Sequence, residues 1–333
     1  MLKFTMEDGT EKELDIELIE NLTEVRVQVH GGKMHADDIM AVAILKMCMQ
    51  DKPVHILNST DENWNVRLDC GNAVAIYEDK VVLDHHQRTG YCVDQYGKKM
   101  SACNLAWEVF KYHYFSRHID MSDLEMTSIM TQMQMLLGEI AALDNGEVPE
   151  GLIFRNSQLN TLFSYFNVDP LAPADVRMRS FENAVQVASI LLTQLVLYTR
   201  RTAQMLTQAM DEVKSVADTD SKIIRMSAVL PWLQVLKSHP DWFIGKFLVT
   251  YPSPRDGKMQ YYVQAVPVDA DTPFSQRVSA PKAWRGLRDH ELQKVSGVKD
   301  ALFCHATGFL CTAASIEGAE ELAKKIIDSD ESA

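Results

Sequence analysis

Short β-branched runs that each end on a histidine or an aspartate constrain this chain more than any other feature. Val25, Val27 and Val29 alternate with Arg26, Gln28 and His30, the period-two pattern of a strand, and Gly31-Gly32 stops it. Val66–Leu68 leads into Asp69-Cys70-Gly71, and Val81-Val82-Leu83 leads into Asp84-His85-His86-Gln87. Val54–Leu57 and Ala73–Ile76 also read as strands. Asp37 to Met49, Ser101 to Tyr114 and Leu124 to Leu143 have helical patterning; in the last, Ile129, Met133, Leu136, Leu137 and Ile140 share one face. Strands alternating with helices predict an α/β fold with a mostly parallel sheet. The opening segment, with Gly9 among polar residues, reads as a short hairpin.

From Val176 to Val216 the pattern is helical with neither glycine nor proline, long enough for one helix, two helices or a connector. The polar stretch Ala217–Ser221 suggests a boundary, giving a domain over 1–216 that includes a helical connector and a smaller α/β domain over 222–333. In the second, Lys246–Tyr251 and Tyr261–Val266 read as strands flanking a turn at Ser253–Gly257. Ala301–Cys304 reads as another strand, and Ser315–Ile327 as a closing helix. At 333 residues, two ordinary cores are affordable. No apolar run reads as long enough to cross a bilayer, so no membrane association is expected. The start, Met1–Gly9, lacks the layout of a signal or transit peptide, and six cysteines without paired spacing suit reduced thiols. A cytoplasmic protein is the expectation.

The net charge of −13 argues against a broad basic face that coats nucleic acid. Divalent cations in a carboxylate-lined cleft would reverse the potential locally. Four segments supply suitable groups: His30 with His35, Asp37 and Asp38; Asp69; Asp84-His85-His86; and Asp144-Asn145-Gly146. Three lie at the carboxyl ends of predicted strands or their loops, where α/β sheets bind ligands. Each has a plainer explanation. Asp37 suits a helix N-cap, Asp144-Asn-Gly a turn, Asp69 a turn, and a single histidine a structural role. Their joint occurrence favours metal binding. Imidazole and carboxylate without thiolate suit manganese or magnesium, with iron and zinc also compatible. Two such ions would activate water and clamp a phosphoryl group.

At these residues the chain resembles the DHH phosphoesterase superfamily, and within it the melanocyte-proliferating-gene (Myg) exonuclease family. His30, His35 and Asp37, then Asp84-His85-His86-Gln87, then Asp144-Asn145-Gly146 match its motifs in order. So do Val263–Pro267, Trp284–Asp289, Lys294–Gly297 and His305–Phe309; the connector between about Pro149 and Trp232 is the least similar part. The resemblance implies a two-domain 3′–5′ exonuclease on short single-stranded RNA or DNA, RNA favoured, with two divalent ions, Mn2+ or Mg2+. It implies that His30, His35 and Asp69 hold one ion and that Asp37, Asp69, His85 and Asp144 hold the other. Asp84 and His86 would be catalytic, Asp84 orienting a ligand and His86 facing substrate. The sequence departs from relatives at Gln276-Arg277-Val278, where they tend to have Ser-Arg-Lys, and at Asp69-Cys70-Gly71-Asn72, where valine and two glycines follow the aspartate.

The stretch 251–300 carries eight Lys/Arg against six Asp/Glu. Arg277, Arg285 and Arg288 are candidates to grip phosphate, His305 to donate to it and Gly308 to allow close approach. A solvated charged surface is the plainer reading. Trp284 is open to base stacking or to a place in the core. Two rival functions fit the same residues: a pyrophosphatase or small-nucleotide phosphoesterase, and a non-catalytic binding protein on this scaffold. The sequence does not indicate an oligomeric state.

Overall fold

Alternating apolar strands and helices assemble as the patterning predicts. The computed structural model describes residues 1–77, 80–87, 90–147, 153–272 and 275–329; the start of the connector at Pro149 lies outside them. The chain forms two compact units, Met1–Arg200 and Arg201–Ala333.

The first unit opens with an antiparallel hairpin of β1 (Leu2–Met6) and β2 (Glu11–Leu14), then a one-turn helix α1 (Glu17–Glu20). There follow β3 (Val25–Val29), α2 (Ala36–Cys48), β4 (Val54–Leu57), β5 (Val66–Leu68), β6 (Val74–Tyr77), β7 (Lys80–Leu83) and β8 (Cys92–Val93). Helices α3 (Ala102–Ser116), α4 (Asp123–Asp144), α5 (Ile153–Ser164) and α6 (Ala174–Ala217) complete it, the last continuing into the second unit. The main sheet has the order β4-β3-β5-β7-β6, with only β6 antiparallel to its neighbour. Thus β3, β5 and β7 lie side by side with their carboxyl ends at one rim. Every residue of α2 from Ala36 to Leu45 is buried, as an all-round apolar helix requires.

Helix α6 is a single helix of 44 residues. One 18-residue window reaches a mean hydropathy of 1.2, so the expectation that no stretch is apolar enough to span a bilayer needs correction on length and composition alone. That helix nevertheless has a core-facing stripe: Phe181, Ala184, Val185, Ala188 and Leu192 pack into the first unit's core.

In the second unit, β9 (Ile223–Arg225), α7 (Trp232–Ser238), β10 (Leu248–Arg255), β11 (Lys258–Ala265), α8 (Asp289–Ser296), β12 (Ala301–Cys304), β13 (Leu310–Ala313) and α9 (Ile316–Ser329) build a sheet ordered β12-β13-β11-β10-β9. Adjacent residues of β10 serve different cores: Leu248 packs with Leu292 and Leu322, and Val249 with Trp232 and Phe243. The β10–β11 turn is tighter than expected. Asp256 and Gly257, with φ of 51° and 74°, form a two-residue hairpin connection, and the strands continue through Pro252 and Pro254.

Candidate metal centre

The carboxyl ends of β3, β5 and β7 deliver His30, Asp69 and the Asp84-His85-His86 run to one place, and α4 adds Asp144 from its last residue. Three overlapping groups result: His30, His35 and Asp69; Asp69, His85 and His86; and Asp37, His85 and Asp144. Within each group the ligand-capable atoms lie within 4.8 Å of one another. Asp69 belongs to two groups. It is buried and holds a left-handed φ of 56°, a conformation that costs energy for most non-glycine residues and aims its carboxylate into the cluster.

Contacts without hydrogen bonds distinguish this cluster from an ordinary polar network. His85 Nε2 is 3.0 Å from Asp144 Oδ2, 3.2 Å from Asp69 Oδ1 and 3.9 Å from Asp37 Oδ2. His30 Nε2 is 3.0 Å from Asp38 Oδ2 and 3.4 Å from Asp69 Oδ2. Yet His30 Nε2, His85 Nε2 and Asp69 Oδ1 are buried with no hydrogen bond aligned on them. Buried polar atoms are normally satisfied, and ring nitrogens converging with carboxylate oxygens fit a cation between them.

The surroundings fix these side chains from behind. Asn145 spends its amide nitrogen on the carbonyls of Ala141 (3.0 Å) and Lys99 (3.4 Å), which turns its oxygen toward His85 Nδ1 at 3.2 Å. Nδ1 therefore donates, and Nε2 keeps its lone pair for the cluster once the ring is neutral. Asp37 does not cap its own helix. Its carboxylate accepts from Ser101 Oγ (2.6 Å), Ala102 N (2.9 Å) and Cys103 N (2.8 Å), at the amino end of α3. Asp84 is buried and accepts from Asn72 N (2.6 Å) and His86 N (3.0 Å), with His86 Nδ1 at 2.9 Å. That leaves the His86 ring largely exposed, with Nε2 unengaged by Asp84.

Asp38, which the sequence placed beside Asp37 without giving it a ligand role, belongs here, as do two residues that the sequence did not single out, Asn160 and Asn167. Asp38 is buried, accepts from His35 N at 3.0 Å and contacts His30. Asn167 grips both the N–H (2.7 Å) and the carbonyl (3.1 Å) of Met34, and Asn160 accepts from Ala36 N at 3.2 Å. Together they hold the backbone on either side of His35. No local motif marks the two asparagines; only the tertiary fold brings residues so distant in sequence together.

The electrostatics follow from the crowding of carboxylates. Contact with Asp38 outweighs burial and raises the His30 pKa to about 9. Burial opposes charge on His85, but Asp144, Asp69 and Asp37 prevail and raise it to about 11. Burial, with the charges of Asp69 and Asp144, pushes Asp37 up to about 6. Burial raises the Asp144 carboxyl, but its contact with His85 more than compensates and leaves its pKa lowered. At neutral pH both imidazoles therefore carry the proton that a metal must displace. Manganese binding near pH 7 should release about two protons, read from calorimetry in buffers of different ionisation enthalpy. Heat independent of buffer would contradict it. Without metal, the raised histidine pKa values contribute stability fully below the unfolded value of about 6.5. That contribution disappears as pH rises through about 9 and then 11.

In the second unit the structure separates the candidate substrate residues. Arg277 donates from Nε to the Pro267 carbonyl (3.1 Å) and from Nη1 to the carbonyls of Lys246 (3.1 Å) and Phe243. Its guanidinium is engaged inside its own unit. Val278, where relatives tend to have a cation, is buried in the core, and so is Trp284, which closes the stacking alternative for it. Arg285, Arg288, His305 and Gly308 are linked instead. Arg285 Nε donates to the Ala280 carbonyl at 2.9 Å and lies over Gly308, where an added Cβ would come within 2.8 Å of it. Arg288 stacks on Phe303 at 4.3 Å, and the Phe303 and His305 rings are 6.2 Å apart. His305 Nδ1 accepts from Thr307 N at 3.2 Å, so the neutral ring carries its proton on Nε2. Arg277→Ala should cost about 2–3 kcal/mol of stability by leaving carbonyls unpaired, whereas Arg288→Ala should cost under about 0.5 kcal/mol. Urea unfolding checks this; equal losses would contradict the structural role of Arg277.

Across residues 26–327 the sequence matches the MYG1 exonuclease family, described as an uncharacterised protein family (UPF0160). The chain belongs to that family. The match includes every cluster residue and both units. A MYG1 protein of Dictyostelium discoideum is 25% identical over 326 residues, covering 92% of this chain and 98% of its own. A MYG1 protein of Caenorhabditis elegans is 28% identical, covering 92% and 96%. The human MYG1 exonuclease is 25% identical, covering 90% and 85%. Among solved structures, RecJ in complex with Mg2+ from Thermus thermophilus is similar, with a TM-score of 0.29 and 14% identity. That likeness covers 95% of this chain and 52% of RecJ, so the chain spans about half the length of that protein.

Proposed function

We propose that this protein is a two-metal phosphodiesterase that removes nucleotides from the 3′ end of short single-stranded RNA, with DNA as a second substrate. The observation that carries the reading is the set of seven His and Asp side chains gathered at one sheet rim, with buried ring nitrogens left unaligned on neighbouring carboxylates. The naming of family relatives as exonucleases supports the choice of reaction.

In this reading His30, His35 and Asp69 hold one ion, and Asp37, Asp69, His85 and Asp144 hold the other, manganese or magnesium. Bound there, the ions would acidify a water and neutralise charge on the phosphoryl oxygens. Asp69, in two groups at once, is the natural shared ligand. Asn145 sets the donor state of His85, and Ser101 with the amino end of α3 holds Asp37 in place. Asp84 fixes the exposed His86 ring, which presents Nε2 toward substrate phosphate. Residues 1–216 then form the catalytic part with its helical connector, and 222–333 the substrate-binding part. Arg285, Arg288 and His305 are its phosphate contacts, with Gly308 giving room for Arg285; Arg277 acts in folding. Six free thiols suit a reducing, cytoplasmic setting.

The test is product analysis on 5′-labelled RNA with manganese. A ladder shortening from the 3′ end with mononucleotide release supports the reading. Phosphate release from pyrophosphate without attack on oligonucleotides would replace it with the small-substrate alternative.

A further inference from the structure

The rim that carries the metal-binding cluster continues sideways, toward the edge strand β4, into a cavity of about 570 Å³ within the first unit. Its size falls within the range of about 300–1,000 Å³ typical of small-molecule sites. One wall is shared with the metal centre, because His30 and Asp38 line both. Met34, Leu57, Met178 and Phe181 give the cavity an apolar interior. Asn58 and Ser59, at the carboxyl end of β4, add an exposed amide and a hydroxyl. Two cations also line it, Lys33 and Arg177, the latter anchored by Nη1 on the carbonyls of Pro170 (2.8 Å) and Ala172 (3.2 Å).

We propose that this cavity receives the nucleoside flanking the scissile phosphate, an inference that rests on the phosphodiesterase reading above. Because His30 and Asp38 line both cavity and cluster, a phosphate held at the cluster would have its neighbouring sugar and base beside this wall. The polarizable thioethers of Met34 and Met178 and the Phe181 ring offer surfaces for a base face. Asn58 and Ser59 offer hydrogen-bonding groups to its edge, and Lys33 and Arg177 offer charge to the next phosphate along the strand. The cavity thus combines an apolar interior, a polar edge and two cations beside a carboxylate-rich centre.

The test is equilibrium binding of a 2-aminopurine dinucleotide, read by its fluorescence in calcium so that turnover does not interfere. Ala174→Trp and Met178→Trp both narrow the cavity; Ala174 is exposed at the first turn of α6, and Met178 is half-buried. Each should weaken dinucleotide binding by about tenfold or more, corresponding to about 1.4 kcal/mol, with manganese stoichiometry unchanged. An abasic dinucleotide should bind wild type and variants alike. Undiminished dinucleotide binding in both variants, with metal retained, overturns the cavity assignment and leaves the phosphodiesterase reading standing. Wild-type protein that binds manganese yet neither binds the dinucleotide nor hydrolyses any phosphodiester overturns the reading itself, and the cavity assignment with it.

Discussion

Asp69→Asn is expected to lower manganese-dependent oligonucleotide hydrolysis by about a thousandfold or more, equivalent to about 4 kcal/mol in the barrier. Its carboxylate lies 3.2 Å from His85 and 3.4 Å from His30, joining the two halves of the cluster. Asparagine preserves the volume and tolerates the left-handed φ of 56°, so the backbone after β5 need not change. The loss would therefore report charge rather than folding. Turnover and bound manganese should be measured together, with the far-ultraviolet spectrum as the folding control. Activity within a few-fold of wild type would remove Asp69 from the chemistry.

The second large effect belongs to Asp84, which acts differently. Its oxygens are spent on Asn72 N, His86 N and the His86 ring. Asp84→Asn replaces one acceptor with a donor that must face either the Asn72 N–H or the His86 N–H, so the 70–72 loop or the His86 ring loses its fixed geometry. Outer partners of this kind are worth about 10–100-fold, and the expected loss in kcat is at the upper end. Manganese stoichiometry should hold, because Asp84 belongs to none of the three ligand groups. Complete loss of metal with kcat per bound metal unchanged would instead make Asp84 a ligand.

The ends of β3, β5 and β7 were legible because a short apolar run, period-two in β3, followed by glycine or a polar cluster leaves few alternatives. Helix α6 was not, since a long stretch without glycine or proline fits one helix or two equally well. The sequence suggested a turn over Ser253–Gly257, whereas the Asp256-Gly257 dipeptide alone makes it. At the cluster, residue type identified candidates but not partners. Asp37 suggested a cap for its own helix, while its carboxylate holds the amino end of α3, more than sixty residues away. Asn160 and Asn167 grip the backbone around His35 from 124 and 133 residues away, a distance over which no spacing rule operates. Arg277 and Arg285 are alike as letters. Only the carbonyls around each show that Arg277 is engaged in its own fold.

The most direct measurement of the central claim is a manganese titration of mononucleotide release, using chelator-stripped protein and uniformly labelled single-stranded RNA. The proposed site predicts no release from the stripped protein and recovery that saturates at about two manganese ions per chain. Release that persists undiminished after metal removal, or none from RNA or DNA at any manganese concentration, would contradict it.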